Sequence, residues 1–324
     1  MILLPVFHET DLFLPHNDPD DHYDLACQFA LAKKGLTDLK GILIDYPPEG
    51  FGDPDIGAVA QLGYLTGVPA PVGVGQASAG QKPGSGLNLL KRVLEDSKEP
   101  VTLHIVGSCH DIAEAGKLWP ELFREKVKAI YLNAGAGRDS ERLEYNVWLD
   151  PASFAAIFSL PCPIYWMPCF DSMARECVTG RYGTWWKFRQ ERLFETMSPM
   201  LQNYFLGVLT KRQGADWLSP LEGPVDQKAL AFYGKQERNM WCTAGFLHTA
   251  GLTVTKSGEI RPLGENPSEE VFSFTPIKVE CKDDGHAVWE EAPSRDRFIF
   301  TVNDEEKYTE AMLSALGIML SWLK

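Results

Sequence analysis

The segment His16–Asp24 carries the densest set of side chains that could do chemistry. It holds four carboxylates, at positions 18, 20, 21 and 24, and two imidazoles, and it precedes an apolar stretch typical of a helix. Carboxylates this close repel one another unless a hard cation with oxygen ligands, or the positive N-terminus of a helix, gathers them. The segment therefore indicates either a metal site or an acidic helix start.

Helix capping is the simpler interpretation of this segment. Asp24, or the pair Asp20 and Asp21, could cap the following helix while the other side chains face water. The apolar run 12–15 in front of the segment predicts a first strand, which would place the acidic residues at the edge of a sheet. Both interpretations stay open at this point.

The first half of the chain alternates predicted helices with predicted strands. Apolar residues at helical spacing predict helices over 24–34, 55–66, 87–96 and 111–118. Short apolar runs predict strands over 40–46, 101–106 and 127–132. This alternation predicts an α/β fold with a mostly parallel central sheet and helices on both faces. Ligands bind such sheets beyond the carboxyl ends of the strands, which directs attention to the loops 15–24, 45–53, 107–111 and 133–146.

The second half of the chain has a different pattern. Residues 182–210 are rich in aromatic side chains and predict helix, and 223–246 mixes turns with helix. Short β runs over 252–302 could form a small antiparallel sheet or hairpins, and 305–324 predicts a last helix. We see no internal repeat and no low-complexity linker. We therefore expect one domain over 1–324, with a helical and β-hairpin C-terminal extension.

The acidic composition limits the classes of partner. Lys and Arg number 31 against 44 Asp and Glu, which gives a net charge of −13. Such a surface repels phosphate backbones and anionic lipids, so we expect neither nucleic acid nor a membrane as partner, whereas divalent cations and neutral or cationic small molecules suit it. The seven cysteines show no CxxC or zinc-finger spacing, and the chain begins without a basic, signal-like segment. We expect reduced thiols in a cytoplasmic protein.

Four segments of the sequence, in matching order, resemble the segments of one enzyme family. Asp18-Pro19 and Asp24-Leu-Ala resemble the family's opening DxDPGxDDAxAL loop. Residues 62–73, LGYLTGVPAPVG, are similar to its AGxxxVPVxxG segment. Residues 107–113, GSCHDIA, stand where the family has GPLTNIA, and residues 142–152, RLEYNVWLDPA, resemble AE[FY]NxxxDPxA. The family that these segments resemble is the nucleoside hydrolases, the inosine–uridine-preferring N-ribohydrolases. The resemblance covers residues 12–170 and implies the family's α/β fold.

The resemblance implies metal-assisted hydrolysis of an N-glycosidic bond. In this family a calcium ion holds the attacking water and the ribose hydroxyls, and an aspartate of the first loop takes the water's proton. By position the base is Asp18, which would also bind the metal together with Asp24 and the backbone carbonyl of His110. The residues expected to bind substrate are Asp20, Asp21, His22, Glu144, Asn146 and Trp241.

Departures from the family pattern put the metal in question. Asp20 replaces the glycine of the opening loop and His16 its first aspartate, and the asparagine expected after the second strand is missing. The C-terminal His-Asp-Pro has its nearest counterpart in Trp241-Cys242-Thr243, and cysteine is a poor ligand for calcium. Either another carboxylate, such as Asp45 or Asp53, completes the site, or calcium binding is weakened or lost.

Other conspicuous residues have simpler interpretations. His248 lies on an apolar helix face and is expected in the core or a pocket rather than as an acid for the leaving base. Trp185 and Trp186 are more typical of a core than of a base-stacking surface. The glycines at 135 and 137 match no dinucleotide-binding pattern.

Three hypotheses follow for function. The first is a divergent calcium-dependent nucleoside hydrolase of nucleoside salvage, a homo-oligomer like its family. The second is a relative that binds a ribose-containing ligand without turning it over, suggested by Trp241-Cys242. The third is hydrolysis of another substrate by a transition metal at the acidic segment. The substrate's identity lies beyond the sequence.

Overall fold

A nine-stranded sheet forms the centre of the molecule. The computed structural model describes residues 3–15, 19–78, 80–138, 141–212, 214 and 216–324. The strands are β1 (Leu4–Thr10), β2 (Phe13–Leu14), β3 (Thr37–Ile44), β4 (Asp53–Pro54), β5 (Val72–Val74), β6 (Val101–Ile105), β7 (Val127–Leu132), β8 (Ile164–Trp166), β9 (Trp186–Arg189), β10 (Glu237–Met240), β11 (Leu252–Val254), β12 (Ile260–Pro262), β13 (Phe272–Cys281), β14 (Ala287–Glu291) and β15 (Arg297–Val302). The sheet order is β14-β13-β15-β8-β7-β6-β1-β3-β5.

The seven strands from β15 to β5 run parallel, and β13 pairs antiparallel with β15 and β14 at one edge. Three further pairs, β2–β4, β9–β10 and β11–β12, lie outside the large sheet. The predicted parallel α/β fold is confirmed. The C-terminal strands β13 to β15 extend the main sheet instead of forming a sheet of their own.

Helices surround this sheet. They are α1 (Asp20–Lys33), α2 (Ile56–Thr66), α3 (Ser85–Asp96), α4 (His110–Leu118), α5 (Pro120–Lys126), α6 (Tyr145–Leu149), α7 (Pro151–Ile157), α8 (Glu191–Phe194), α9 (Pro199–Leu209), α10 (Ser219–Glu222), α11 (Gln227–Gly234), α12 (Thr243–Thr249) and α13 (Glu305–Ser321), with a 3-10 turn at Met173–Arg175. None of those within the described ranges is both long and apolar enough to cross a bilayer.

The first strand lies earlier than predicted. The run 12–15 contributes only the short β2, whereas β1, paired with β3 and β6, ends at Thr10. Pro5 and the polar pair His8 and Glu9 interrupt the apolar pattern by which a buried strand is recognised. Pro5 is tolerated because β6 pairs with β1 only from Val6 onward.

Two boundaries in the helical predictions also change. The segment 182–210 is not one helical region, because β9 pairs with β10 before α8 and α9 begin. Helix α1 begins at Asp20, four residues before its predicted start, with Asp20 and Asp21 in its first turn. The partial positive charge of a helix N-terminus stabilises acidic side chains there. Every residue from Asp21 to Leu31 is buried, so much of the acidic segment belongs to an interior helix.

A ladder of neighbouring rings crosses five parallel strands. His8, His104, Tyr131, Tyr165 and Phe298 occupy matching positions on β1, β6, β7, β8 and β15. The ring centroids of successive members lie 6.4, 5.1, 4.7 and 4.7 Å apart. Because side chains alternate between the faces of a strand, this ladder holds the five strands in one register.

His8 is the titratable end of the ladder. Its side chain is fully buried, and neither ring nitrogen has a hydrogen-bond partner among the described residues. Burial lowers the pKa of His8 to about 3. The folded protein therefore requires the neutral imidazole.

Replacing His8 by phenylalanine should make the protein less sensitive to acid. The imidazole titrates near pH 6.5 in an unfolded chain but near 3 in the fold, so stability is lost as the pH falls below the unfolded value. At about pH 5 this linkage costs about 2 kcal/mol. We expect the drop in unfolding free energy from about pH 7.5 to about pH 5, measured by urea denaturation, to be about 2 kcal/mol smaller in His8→Phe.

Phe246→Leu is the matched control, because Phe246 packs edge-on against His8, with ring centroids 5.6 Å apart, and does not titrate. It should lower stability equally at both pH values. An unchanged pH dependence in His8→Phe would contradict the linkage.

Candidate functional site

A cavity of about 790 Å³ opens beyond the carboxyl ends of β1, β6 and β7. Asp11 follows β1, Val106 follows β6 and Asn133 follows β7, while the N-terminus of α1 brings Asp20 and Asp21 to the same wall. Its other lining residues are Phe13, Pro15, Gly50, Phe51, Gly52, Glu144, Tyr145, Asn146, Cys169, Phe170, Met173, Glu176, Cys177, Asn239, Trp241 and Cys242. The ligand edge expected for a parallel sheet is therefore hollow.

Asp11 and Asp21 form the acidic centre of this cavity. Thr10 Oγ1 donates a hydrogen bond to Asp21 Oδ1 at 3.2 Å. Burial raises the pKa of Asp21 well above its usual range, and the neighbouring Asp11 and Asp20 raise it further. After burial, the charge of Asp11 is the largest cause of this rise, which places the two carboxyl groups side by side, so the pair favours a cation between its members.

Glu9 and Asp45 form a second buried carboxyl pair behind the cavity. They end adjacent strands and hydrogen-bond each other, and burial together with the partner's charge raises the pKa of Glu9. Burial likewise raises the pKa of Asp45, although Ser108 N donates to its Oδ2 at 2.6 Å. A Cβ at Gly107 would lie 2.6 Å from Asp45 Oδ2 and 3.0 Å from Glu9 Oε1, so only glycine fits beside the pair.

Glu144 and Asn146 are held rigidly at the opposite wall. Glu144 caps α6, and its carboxylate accepts hydrogen bonds from the backbone N–H groups of Gly135 at 2.8 Å, Asn146 at 3.0 Å and Val147 at 3.4 Å. Burial raises the pKa of Glu144, and these three N–H groups counteract part of that rise. Asn146 Nδ2 donates to Val106 O at 3.1 Å, which fixes the orientation of its amide.

Cys242 lies in a buried hydrogen-bonded chain. Its Sγ donates to Asn133 Oδ1 at 3.0 Å, and the carboxyl group of Asp24 lies beside the thiol. Burial raises the pKa of Asp24 to about 8, and it raises that of the Cys242 thiol, with Asp24 adding to the rise. The thiol is therefore protonated at neutral pH and tied to the protein rather than available as a ligand.

Aromatic rings form the outer part of the cavity. Phe51 contacts Phe13 with ring centroids 6.5 Å apart and Tyr145 at 6.4 Å, and Phe170 meets Trp241 edge-on at 6.0 Å. An acidic floor with aromatic walls suits a ligand that carries hydroxyl groups at one end and a flat ring at the other.

Five of the residues predicted to bind substrate line this cavity. They are Asp20, Asp21, Glu144, Asn146 and Trp241. The sixth, His22, is not among the lining residues; its Nδ1 shares a hydrogen bond with Tyr204 Oη at 2.8 Å within the buried face of α1.

The residues predicted to hold the metal are not brought together in the described part of the chain. Asp24 lies one turn deeper in α1 against Cys242, and His110 begins α4 outside the cavity, with its Nδ1 2.8 Å from Asp150 Oδ2. Asp18, the predicted base, lies outside the described residues. Of the two alternative carboxylates, Asp45 faces Glu9, and Asp53 lies in β4.

Asp11 and Glu9 are acidic residues of this region that the sequence pattern did not predict. The segment Glu9-Thr10-Asp11 lies at the end of β1 and has the spacing of the first two acids in the DxDPGxDDAxAL loop, with glutamate at the first position. Asp20-Asp21 opens α1 and resembles the second acidic pair of that loop. Residues 12–19 separate these two acidic pairs in the sequence, so a continuous motif points to Asp18 instead. The available signal was the pair of acids at positions 9 and 11, with one residue between them.

His248 and the tryptophan pair are core residues, as expected. His248 Nδ1 is 2.6 Å from Tyr131 Oη, and burial lowers its pKa to about 4. Trp185 and Trp186 are buried, and Trp185 Nε1 donates to Asn239 Oδ1 at 3.1 Å.

Among the residues that the structure describes, Asp11 and Asp21 are the carboxylates best suited to hold a hard cation. Their oxygen atoms are the ligands that calcium prefers, and a cation would relieve the repulsion between them. Within the described ranges no group of three or more His, Cys, Asp or Glu side chains is arranged to hold a metal ion. The donor chemistry of this pair fits calcium, whereas the sulfur of Cys242 does not.

Comparison with solved structures identifies the fold. A plant nucleoside hydrolase, the PpNRh1 enzyme, superposes with a TM-score of 0.57 at 13% identity, over 97% of this chain and 99% of that one. The purine-preferring ribonucleoside hydrolase from Gardnerella vaginalis gives 0.52 at 11% identity, over 97% and 99%. The effector protein XOO4466 gives 0.51 at 14% identity, over 100% and 95%. The chain therefore has a nucleoside-hydrolase-like α/β fold. No protein-family model and no curated protein sequence matches it.

Replacing Asp45 by asparagine should stabilise the protein at alkaline pH. Burial holds the pKa of the Glu9–Asp45 pair above its value in the unfolded chain. The pair's contribution to stability is therefore present at low pH and is lost as the pH rises through the folded pKa. The asparagine amide can donate to Glu9 while its oxygen still accepts from Ser108. By urea denaturation, we expect the variant's advantage in unfolding free energy to grow from about pH 5 to about pH 8.

Asp53→Asn is the control for this variant, because Asp53 is an exposed carboxylate on the same loop. Its stability should follow the wild-type pH profile. Parallel profiles for wild type and Asp45→Asn would mean that the buried pair does not share a proton.

Proposed function

We propose that the protein hydrolyses the N-glycosidic bond of a ribonucleoside or a related riboside. The observation that carries the proposal is the convergence of Asp11, Asp20 and Asp21 with Glu144 and Asn146 in one cavity at the sheet edge. The nucleoside-hydrolase-like fold supports it, because the plant enzyme and the Gardnerella vaginalis enzyme have the same architecture. Cytoplasmic location, nucleoside salvage and homo-oligomeric assembly accompany the proposal as predictions.

Asp11 is the residue we assign as the general base. It follows β1, lines the cavity and contacts Asp21, so a water bound between them would lie within reach of its carboxylate. This assignment replaces Asp18 by the residue that occupies the corresponding place at the strand end.

Glu144, Asn146 and Asp20 are assigned to the ribose hydroxyls. The backbone N–H groups that bind Glu144 leave part of its carboxylate free to accept a further hydrogen bond. A carboxylate held this firmly orients the sugar without a large loss of side-chain entropy on binding.

Asp11 and Asp21 are also the residues we propose to hold calcium. The bound ion would supply the positive charge that orients a water and the ribose hydroxyls. The cation would also offset the burial and the neighbouring charges of Asp11 and Asp20 that raise the pKa of Asp21.

The acidic cavity favours the charge that develops during cleavage. Its carboxylates are Asp11, Asp20, Asp21, Glu144 and Glu176, and none of the described lining residues is Lys or Arg. Breaking an N-glycosidic bond places positive charge on the ribose, which these groups stabilise. The same charges repel phosphate, so the substrate is a nucleoside rather than a nucleotide.

Asp11→Asn should abolish most of the activity. Removing a general base costs roughly a hundred- to ten-thousandfold in rate, and we expect a loss of about a thousandfold in kcat together with a rise in KM, because the variant also loses a ligand of the proposed calcium ion. Release of ribose from a panel of nucleosides at millimolar calcium measures the effect.

Asp96→Asn, at the exposed C-terminal end of α3, serves as the control and should retain full activity. Thermal unfolding separates a catalytic loss from misfolding, because Asp11→Asn removes a repelling charge beside Asp21 and should not lower the midpoint. If Asp11→Asn hydrolysed nucleosides at the wild-type rate, Asp11 would not be the base.

Nucleoside 5′-monophosphates should be poor substrates. We expect kcat/KM for the monophosphate to be at least about a hundredfold below that of its parent nucleoside, because a dianion would enter a cavity walled by carboxylates. Steady-state kinetics on matched pairs provide the measurement. Equal kcat/KM values for a nucleoside and its monophosphate would contradict the prediction, because they would show that the phosphate does not lie near these carboxylates.

Cys242 favours a second candidate function, ligand binding without turnover. It stands where the family has a calcium-binding aspartate, and its thiol is tied to Asp24 and Asn133. The same fold also occurs in a protein described as an effector rather than as a hydrolase. Calorimetry distinguishes the hydrolase from a binding protein. If the protein binds calcium and Asp11→Asn abolishes that binding, the hydrolase is supported. If the protein binds ribose but neither binds calcium nor hydrolyses nucleosides, the binding protein is supported.

A further inference from the structure

The hairpin formed by β13 and β14 reaches from the second half of the chain to the wall that carries the proposed ribose-binding side chains. Residues 282–286 form its turn, in which Lys282 N donates to His286 O at 3.0 Å and Gly285 N donates to Lys282 O at 2.8 Å. Residues 282–284 are exposed, whereas Gly285 is buried. The turn is therefore inserted into the protein at Gly285.

Gly285 occupies a place that only glycine fits. Its φ of +86° lies in the left-handed region that favours glycine. A Cβ at this position would lie 2.7 Å from Val147 Cγ1, 3.1 Å from Pro151 Cβ and 3.4 Å from Leu143 Cδ2. Because the contact with Val147 leaves no room for a methyl group, the hairpin turn and Val147 fix each other's position.

Val147 connects this contact to Glu144. Its side chain is buried, and its backbone N–H donates to Glu144 Oε2 at 3.4 Å. A Cβ on Gly135 would lie 3.4 Å from Val147 Cγ2, and Gly135 N donates to the same oxygen of Glu144 at 2.8 Å. A shift of Val147 would therefore move an N–H group that fixes the Glu144 carboxylate, together with Asn146, its neighbour in the chain.

Trp289 makes a second contact between the hairpin and this wall. Its Nε1 donates to Gly137 O, and its ring meets that of Tyr182 edge-on with ring centroids 4.8 Å apart. The hairpin thus touches both segments that supply N–H groups to the Glu144 carboxylate. The space between the turn and Glu144 is only about 30 Å³, far below the ~300 Å³ of a small ligand pocket, so the turn acts on this wall by packing.

We propose that the β13–β14 hairpin positions Glu144 and Asn146, with Gly285 and Trp289 as positioning residues. That the ligand of these two side chains is a ribose rests on the function proposed above. All residues of the hairpin are described, and none of them lines the cavity. The hairpin therefore sets the affinity for the sugar from outside the cavity and leaves the chemical step to the opposite wall.

Gly285→Ala tests the proposal on the full-length chain through ligand binding. The added methyl group displaces Val147, and we expect KM for a nucleoside and Kd for ribose to rise about tenfold while kcat stays within about twofold, because the lost contacts act equally in the ground state and the transition state. Steady-state kinetics and calorimetry measure these constants.

Gly264→Ala is the matched control. The φ of Gly264 is +78°, and among the described residues beyond its chain neighbours nothing lies within 4 Å of an added Cβ. The control therefore carries similar backbone strain without the contact, and KM and Kd should keep their wild-type values. An equal rise in both variants would overturn the proposal.

Two further variants separate positioning from a general loss of stability. Val147→Ala removes the methyl group that Gly285→Ala would strike, so the double variant should bind ribose as Val147→Ala alone does, whereas additive effects would contradict the proposal. Trp289→Phe keeps a ring against Tyr182 and removes the hydrogen bond to Gly137 O, so Kd for ribose should rise while thermal unfolding shows an intact fold.

Hydrogen exchange tests the positioning without any ligand. In Gly285→Ala the backbone amides of Asn146 and Val147 should exchange faster than in wild type, while those of α13 keep their wild-type rates. Unchanged exchange, or ribose binding by Gly285→Ala as tight as by a wild type that binds ribose, would overturn the role of the hairpin. Faster exchange in Gly285→Ala, with no ribose binding by wild type, would support the hairpin's role and contradict the proposed function instead.

Discussion

Acidic side chains are buried at or near one edge of the parallel sheet, and each must find a proton, a hydrogen-bond donor or a cation to remain there. They include Glu9, Asp21, Asp24, Asp45, Asp111 and Glu144. Burying an ionised carboxylate without such a partner costs far more than a single contact returns. The solutions differ: Glu144 binds three N–H groups, whereas burial and the charge of Asp45 raise the pKa of Glu9 and so favour a proton there, and Asp24 lies beside the Cys242 thiol. Asp21 lies next to Asp11 in the cavity wall, where a ligand can reach the pair.

The sequence predicted the architecture well where its pattern was regular. Alternating apolar runs placed β6, β7, α2 and α4 within about two residues and predicted the parallel sheet that carries the cavity. The pattern failed at β1, because His8 and Glu9 are polar residues buried inside a strand. The family resemblance placed Glu144 and Asn146 at the site, because that segment is continuous in sequence.

The centre of the site was less predictable for a physical reason. Asp11 and Asp21 are ten residues apart and meet only because β1 ends where α1 begins. Proximity of this kind depends on the fold rather than on spacing, so a search for one continuous motif could not find it. Likewise, the counterpart of Cys242 was identified from sequence, but its contacts with Asn133 and Asp24 depend on how α12 packs against α1.

The β2–β4 pair forms one wall of the cavity at the ligand edge of the sheet. Its residues are few, yet Gly52 packs so closely on the carbonyl of Leu14 that a side chain at position 52 would displace one of the two segments. Because Phe13, Gly50 and Gly52 line the cavity, a shift of this wall would change the space open to a ligand. A ligand that fits one position of the wall better than another moves the wall toward that position, by no more than the difference between its two affinities.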